Sequence, residues 1–591
     1  MFSKHFFHFS INNFKNVEKI SKTAILRFYS TAKWSYVHGA SALPLMYKTT
    51  GQILEESVDK YGDRTAFIFP KQDVRKNYRE FYSDVKSLAR GLLALGLRTG
   101  DRVGMWGPNT YEWVVAQFAS SLAGLIFVTV NPAYEQDELA YALHKVGVRC
   151  LIASNSYRNR SYYELLTGLL PGLPKGDKNE LNFGKGVWTY DEISNGDDSK
   201  LDKKIRELNT FVQADDPANI LFTSGTTGRP KGATLSHFNI VNNAYFIGKR
   251  MNYDKQNSVI NAQNWREWPE ATTTVICCPP PLYHCFGCII GSLASVLHGA
   301  TCVFPSTAFD AKMSLSSIHD EKCNSLYGTP TMFVDMLSNS NFDKYDYTSL
   351  RTGIMAGATC PIELCMDVIH KMHMKNFTLL YGTTENSPGT FQTTMLCELD
   401  DRVSTVGKVH DHVEAKIIDE HDHMLPIETT GELCIRGHCV MLNYWNDERQ
   451  TNEVIGRDGW YKTGDLASID ANGRLKIVGR RKDLIIRGGE NIYPAEIEQF
   501  LHTHPKVCDV QVIGVPDKRL GEEVCAWIRL KEGETCGEQE IRDYCMGKIT
   551  YFKIPRYIVF KHQSDFPVTV TGKIQKYKMR EVAVKELNLS I

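Results

Sequence analysis

The apolar positions between Arg102 and Ser154 fall into five segments of alternating period. VGMW predicts a strand, Tyr111 to Ala123 a helix, IFVTV a strand, Asp137 to Val146 a helix and RCLIAS a strand. In the second helix Leu139, Ala142, Leu143 and Val146 recur at i, i+3, i+4 and i+7, one apolar stripe to lay against a sheet. Strand–helix–strand repetition of this kind winds a parallel sheet, an α/β fold. The rhythm returns around NILF (219–222), Thr274 to Cys278, Ala300 to Phe304 and Phe377 to Tyr381, which extends a large α/β body to about residue 480. The polar stretch from Arg206 to Ala218 reads as a connector.

Beyond residue 480 the units shorten. VCDVQVIGV, VCAWIRL and YIVF predict strands and Glu538 to Lys548 a helix, together a small α+β domain of roughly a hundred residues. Two long uncharged runs, Trp113 to Tyr134 and Cys285 to Phe304, are interrupted by glycine and change from a helical period to a β-branched one. They predict buried helix-then-strand units, with no transmembrane segment.

At 591 residues the chain exceeds one core, in keeping with two domains. Lys plus Arg equals Asp plus Glu at 68 each, which removes the broad positive field of a nucleic-acid or anionic-membrane binder. Phosphate recognition, if present, is local. The 16 cysteines are scattered through apolar segments, as expected of free thiols in a reducing compartment. Cys285 and Cys288 form a C-x-x-C with Cys277 and Cys278 upstream, but no second pair follows at zinc-ligand spacing, so packed thiols are expected. The first thirty residues set Lys4, Lys15, Lys19, Lys22 and Arg27 against the single acid Glu18, interleaved with phenylalanine and serine. That is the make-up of a mitochondrial targeting peptide (1–30); a disordered N-terminus is the alternative. The last residues, Leu589-Ser590-Ile591, are not a peroxisomal address.

Directly behind NILF stands TSGTTGRPKG, Thr223 to Gly232. Glycines at 225, 228 and 232 let backbone N–H groups turn inward, Thr223, Ser224, Thr226 and Thr227 add hydroxyls, and Lys231 adds a point charge. The combination describes a polyphosphate cradle, although a flexible structural turn would use the same residues. The spacing is not that of a Walker A loop.

This loop resembles the signature of the adenylate-forming superfamily, which includes acyl-CoA synthetases, luciferases and the adenylation domains of peptide synthetases. PPPLYHCFG (279–287), YGTTENSP (381–388), GELCIRG (431–437), YKTGDLA (461–467), GRRKDLIIRGGENIYPAEIE (479–498) and VTVTGKI (568–574) follow in the family's order. The resemblance implies a large N-terminal AMP- and acyl-binding domain (31–481) and a small mobile C-terminal domain (482–591). It further implies nucleotide binding by Thr223, Ser224, Gly225, Thr226, Thr227, Gly228 and Lys231 in the loop, and by Tyr381, Gly382, Thr383 and Thr384. Gly357 and Ala358 would lie against adenine, Asp465 and Arg480 at the ribose or phosphates, and Glu385 would hold Mg²⁺. Lys573 would bridge the attacking carboxylate and the α-phosphate, while from chemistry alone, with Lys576, Lys578 and Arg580 close behind, part of a basic helix face is the better reading.

Lys482 matches the family's hinge, about which the small domain turns between two half-reactions. Gly488, Gly489 and Glu490 would complete a pantetheine tunnel for coenzyme A. His284 would border the acyl channel, with core packing as the alternative. WSYVHG, VNPAY, LYHCFG and RGGENIYPAEIE resemble, within the superfamily, mitochondrial medium-chain acyl-CoA ligases; residues 256–274 depart from that pattern. The implied activity is ATP-dependent joining of a fatty acid to coenzyme A, in the mitochondrial matrix. An adenylating enzyme for another acid or acceptor, or a silent nucleotide- or acyl-binding homologue, is the alternative.

Overall fold

A computed structural model describes residues 33–170, 189–194, 199–223, 229–253, 273–569 and 573–589. The basic segment 1–30, the loop residues 224–228 and most of 256–274 lie outside them.

The alternating segments form two wound sheets. In a six-stranded sheet Arg102–Trp106 lies parallel between Ile126–Val130 and Val148–Ala153. The sheet continues through parallel Pro217–Thr223 to antiparallel Lys231–Ser236 and Asn443–Tyr444. Leu139, Ala142 and Val146, from the helix Gln136–Val146, are buried against it with Trp106 and Val128. A nine-stranded sheet has six neighbouring parallel strands, among them Ser325–Gly328, Thr352–Ala356 and Asn376–Gly382 in that order. Helices between the sheets build the largest core, with Trp113, Phe118, Ile240, Ile247 and Ile289.

Three expectations need correction. Arg206 to Phe211 is not connector but the end of the helix Ser199–Phe211, because Leu201, Ile205 and Leu208 recur at helical spacing and pack on the core; only 212–216 links it to the next strand. The α/β winding does not run to 480. From Val413 the chain builds a five-stranded antiparallel sheet with Val413–Ile418, Gly431–Gly437, Tyr461–Ile469 and Leu475–Arg480, closed at one edge by Tyr36–His38. Its alternating buried positions, such as Leu433, Ile435, Ala467 and Ile469, pack on Phe391 and Val409 of the nine-stranded sheet. The helix after residue 537 stops at Cys545 rather than Lys548.

The run Cys285 to Phe304 is helical and then strand, as its period suggests, but its first turns are a π-helix, Phe286–Leu293. No helix among the described residues is long and apolar enough to cross a membrane. All sixteen cysteines are free, and Cys277, Cys278, Cys285 and Cys288 are buried.

After Leu475–Arg480 one short turn, Arg481–Asp483, leads into Ile485–Arg487, the first strand of the C-terminal sheet. That sheet centres on the long hairpin Val507–Asp517/Gly521–Leu530. Helices Pro494–His502 and Glu538–Cys545 cover one face through Ile497, Leu501 and Ile541, and Lys576–Glu586 covers the other through Met579 and Ala583.

Candidate active site

Three parallel neighbours of the nine-stranded sheet end side by side, the usual place for a ligand crevice in a wound α/β sheet. Ser325–Gly328 is followed by Thr329, Thr352–Ala356 by Gly357 and Ala358, and Asn376–Gly382 by Thr383, Thr384 and Glu385. Gly357 takes φ +92°, open to glycine and costly for other residues, and a Cβ there would lie 3.5 Å from Thr329 Cγ2. Gly382 is needed for another reason: a Cβ would collide with the Pro388 carbonyl. Thr329 Oγ1 is buried with no hydrogen-bond partner among the described residues.

Glu385 is buried in the turn Thr384–Asn386. Its Oε1 accepts a hydrogen bond from the Tyr444 hydroxyl at 2.8 Å, and its backbone carbonyl accepts the Met441 N–H at 2.8 Å. Tyr444 is the register partner of Ala233, two residues from Lys231, and the Lys231 ammonium lies 4.2 Å from the Tyr444 ring centroid. One tyrosine thus spans Lys231 and Glu385. Lys231 is itself paired across the strands with Thr223. Thr223 Oγ1, at the entry, is also buried and without a partner among the described residues. Ser224, Gly225, Thr226, Thr227 and Gly228 lie outside the described residues.

On the antiparallel sheet Asp465 and Arg480 are direct cross-strand partners. Arg480 Nε stands 3.3 Å from Asp465 Oδ1, and the Tyr381 hydroxyl donates to Oδ2 at 2.6 Å. Burial, and then the Asp465 charge, push the Tyr381 phenol well above its ordinary range, so it remains a donor. Asp465 is 5% exposed. One hydrogen bond and one ion pair hold its carboxylate where Tyr381 and the end of the parallel sheet meet the antiparallel sheet.

Into this space the C-terminal domain brings Lys573. Desolvation, and then Arg480, push its ammonium down to about 8; Lys482 adds to the lowering, while Asp465 and Glu385 oppose it. Its backbone is fixed by Thr569: Thr569 N–H donates to the Lys573 carbonyl at 2.8 Å, and Lys573 N–H donates to Thr569 Oγ1 at 3.1 Å. His284 is within the influence of the same ammonium. Burial first, and Lys573 second, lower its imidazole to about 4, and its Nδ1 accepts the Phe286 N–H at 3.3 Å. Cys285 Sγ bridges the two segments, 3.5 Å from His284 Nδ1 and 3.7 Å from Thr384 Oγ1. Burial pushes that thiol up to about 12, far from a thiolate at neutral pH.

Gly488 and Gly489 occupy the two-residue turn between Ile485–Arg487 and Glu490–Ile492, at φ +59° and +91°. Both are exposed, as are Glu490 and Lys482. The structure therefore brings Glu385, Asp465, Arg480, His284 and Lys573 together and leaves the Gly488–Gly489 hairpin outside that group. Among the described residues one set has metal-ligand proximity: His504, Cys536 and Glu540. There the Lys506 ammonium sits 2.7 Å from Glu540, and Lys506 N–H donates to His504 Nδ1, so a cation of the protein's own fills the place.

The family model of AMP-binding enzymes matches residues 54–445, and that of their C-terminal domain matches 496–573. The chain belongs to the AMP-binding enzyme family. It is 47% identical over 575 residues, 95% of this chain and 92% of the relative, to the medium-chain acyl-CoA ligase ACSF2, mitochondrial, of Danio rerio. The Homo sapiens protein of that name is 42% identical over 594 residues, covering 97% of this chain and 94% of the relative. Among solved structures the anthranilate CoA ligase AuaEII in complex with anthranoyl-AMP superposes with a TM-score of 0.76 at 26% identity, over 93% of this chain and 99% of that one. ATP-bound MatB from Rhodopseudomonas palustris gives a TM-score of 0.73 at 26% identity, over 90% and 99%. The fold is that of adenylate-forming enzymes.

Tyr444 and Thr329 are the site residues that the motifs do not reveal. Tyr444 sits in LNYWND, and its role depends on pairing with a strand some two hundred residues earlier. Thr329 follows a strand in YGTP, a position that strand-end reasoning alone would have picked out.

Proposed function

We propose that this chain is an AMP-forming acyl-CoA ligase that activates a medium-chain fatty acid with ATP as an acyl-adenylate, then transfers the acyl group to coenzyme A. The observation that carries the reading is that Lys573, from the C-terminal domain, lies within the electrostatic influence of Arg480, Asp465 and Glu385 of the N-terminal body. It does so in a chain 42–47% identical, over nearly its whole length, to proteins named medium-chain acyl-CoA ligases.

The fatty acid carboxylate is anionic at neutral pH and needs no base. A His284 held neutral by burial fits an acyl-channel wall better than a proton acceptor. In the first half-reaction the carboxylate attacks the α-phosphorus in line and pyrophosphate departs. Gly357 and Ala358 flank the adenine, Thr329 and Thr384 offer hydroxyls, and Asp465, steadied by Tyr381 and Arg480, accepts from the ribose hydroxyls. Thr223, the residues 224–228 and Lys231 hold the leaving pyrophosphate.

Lys573 lies against the attacking oxygen and the α-phosphate. Such a donor aimed at developing charge contributes about 3–4 kcal/mol, or ~10²–10³ in rate. Tyr444 engages Oε1 of Glu385, leaving Oε2 as a hard oxygen ligand suited to Mg²⁺. Bound Mg²⁺ would supply neutralisation of the phosphate charge.

In the second half-reaction the C-terminal domain turns about Lys482, withdraws Lys573 and brings the Gly488–Glu490 hairpin to the crevice, where it lines the path of the pantetheine thiol. Domain closure used in this way assembles two sites in sequence. The basic residues of 1–30 direct the enzyme to the mitochondrial matrix. The test is AMP formation by the purified protein with ATP, coenzyme A and saturated acids of two to sixteen carbons together with aryl acids. Greatest turnover on the medium-chain acids is expected, and turnover on aryl acids alone would overturn the assignment.

A further inference from the structure

The two domains also meet through residues that the chemistry does not use. Gln499, on the C-terminal helix Pro494–His502, reaches the loop that follows Gly357 and Ala358. Its Nε2 donates to the Cys360 carbonyl at 3.2 Å and its Oε1 accepts the Ile362 N–H at 3.4 Å. That N–H belongs to the first turn of the helix Ile362–Lys371, whose N-cap residue is Pro361 and makes no side-chain cap hydrogen bond. First-turn N–H groups have no intrahelical acceptor, so a side chain from the other domain supplies one that the helix lacks.

A second contact joins the neighbouring strand end. Arg529, on Gly521–Leu530, places Nη1 4.0 Å from Asp335 Oδ1 on the helix Pro330–Leu337, which begins directly after Thr329. Both anchors of the N-terminal body therefore follow the ends of adjacent parallel strands, Ser325–Gly328 and Thr352–Ala356, which also frame the candidate nucleotide crevice. The arginine is incompletely satisfied: Nε and Nη2 are buried without a hydrogen-bond partner among the described residues. Asp509 faces it across the strands, and His502 Nε2 stands 3.8 Å from Asp509 Oδ1. Burial raises both Asp335 and Asp509, while Arg529 opposes that rise in each. Long distances and a half-satisfied guanidinium suit a joint that opens in every turnover.

We infer that Gln499, with the Asp335–Arg529 pair, forms a clasp that holds the C-terminal domain in the orientation presenting Lys573, and that fixes the 357–361 loop for adenine only in that orientation. This rests on the two-orientation reading given above. Gln499 is thus a positioning residue for adenylation with no part in thioester formation. Adenine binding and lid closure are coupled through one amide, since a loop ordered by the lid and a lid held by the loop favour each other.

The experiment measures the half-reactions separately, as ATP–pyrophosphate exchange and as thioester formation from supplied acyl-adenylate and coenzyme A. The variants are Gln499→Met, which keeps side-chain volume in the helix, Asp335→Asn, both together, and Lys573→Ala as reference. Loss of one or two such hydrogen bonds predicts a fall of about tenfold in exchange for Gln499→Met, with a raised KM for ATP and thioester formation unchanged or faster. The double variant is expected to fall further. Equal loss in both halves, or no loss in either, while Lys573→Ala still separates them, overturns the clasp and leaves the lid reading standing. If Lys573→Ala itself fails to separate the halves, the two-orientation reading falls and the clasp falls with it.

Discussion

The Tyr444 hydroxyl donates to Oε1 of Glu385 at 2.8 Å while its ring faces the Lys231 ammonium at 4.2 Å. A single side chain so placed sets the separation between Lys231 and the Glu385 carboxylate, the pair proposed above for pyrophosphate and Mg²⁺. Burial, and then Glu385, hold its phenol well above the ordinary range, so the hydroxyl is a donor throughout the working pH.

Tyr444→Phe keeps the ring beneath Lys231 and removes the hydroxyl that bonds Glu385 and also meets Tyr461. A hydrogen bond to a charged acceptor is worth about 1.5–3 kcal/mol, so kcat/KM for ATP should fall by roughly ten- to a hundredfold. The Mg²⁺ concentration for half-maximal rate should rise with it. Titrating Mg²⁺ at saturating ATP checks this; an unchanged Mg²⁺ requirement would mean that Tyr444 positions nothing.

Asp465→Asn removes the charge that Arg480 and Tyr381 both address. A charge-assisted hydrogen bond to a ribose hydroxyl weakens, and Arg480 loses its cross-strand partner. KM for ATP should rise at least about tenfold, with a smaller change in KM for the fatty acid. Nucleotide binding followed by calorimetry separates this from general damage to the fold.

The pH profile carries its own sign. With Lys573 pushed down to about 8, its ammonium is mostly charged at neutral pH and loses its charge as pH rises through that value. Pyrophosphate exchange should therefore fall above pH 8, whereas thioester formation from supplied acyl-adenylate should show no such limb. His284, lowered to about 4, stays neutral across this window, so His284→Ala should change the preference among acids without shifting the profile.

Much of the parallel body was legible because helix and strand periods are local. The strand IFVTV and the helical stripe of Leu139, Ala142 and Val146 need no knowledge of their neighbours to be read. The antiparallel sheet after Val413 was misjudged because its short alternating strands fit a wound body equally well until their pairing is known. The helix Ser199–Phe211 hid in a polar segment, since only Leu201, Ile205 and Leu208 mark its buried stripe. Motif residues such as Glu385 and Lys573 are legible through the family resemblance, from the order of the motifs that carry them along the chain. Tyr444 and Gln499 do not, because each acts on a partner far away in sequence, and which strand or domain it meets is decided by topology.

The half-reactions of Lys573→Ala test the central claim most directly. The account predicts a loss of about 10²–10³ in ATP–pyrophosphate exchange with thioester formation from supplied acyl-adenylate largely retained. Equal loss in both would contradict it.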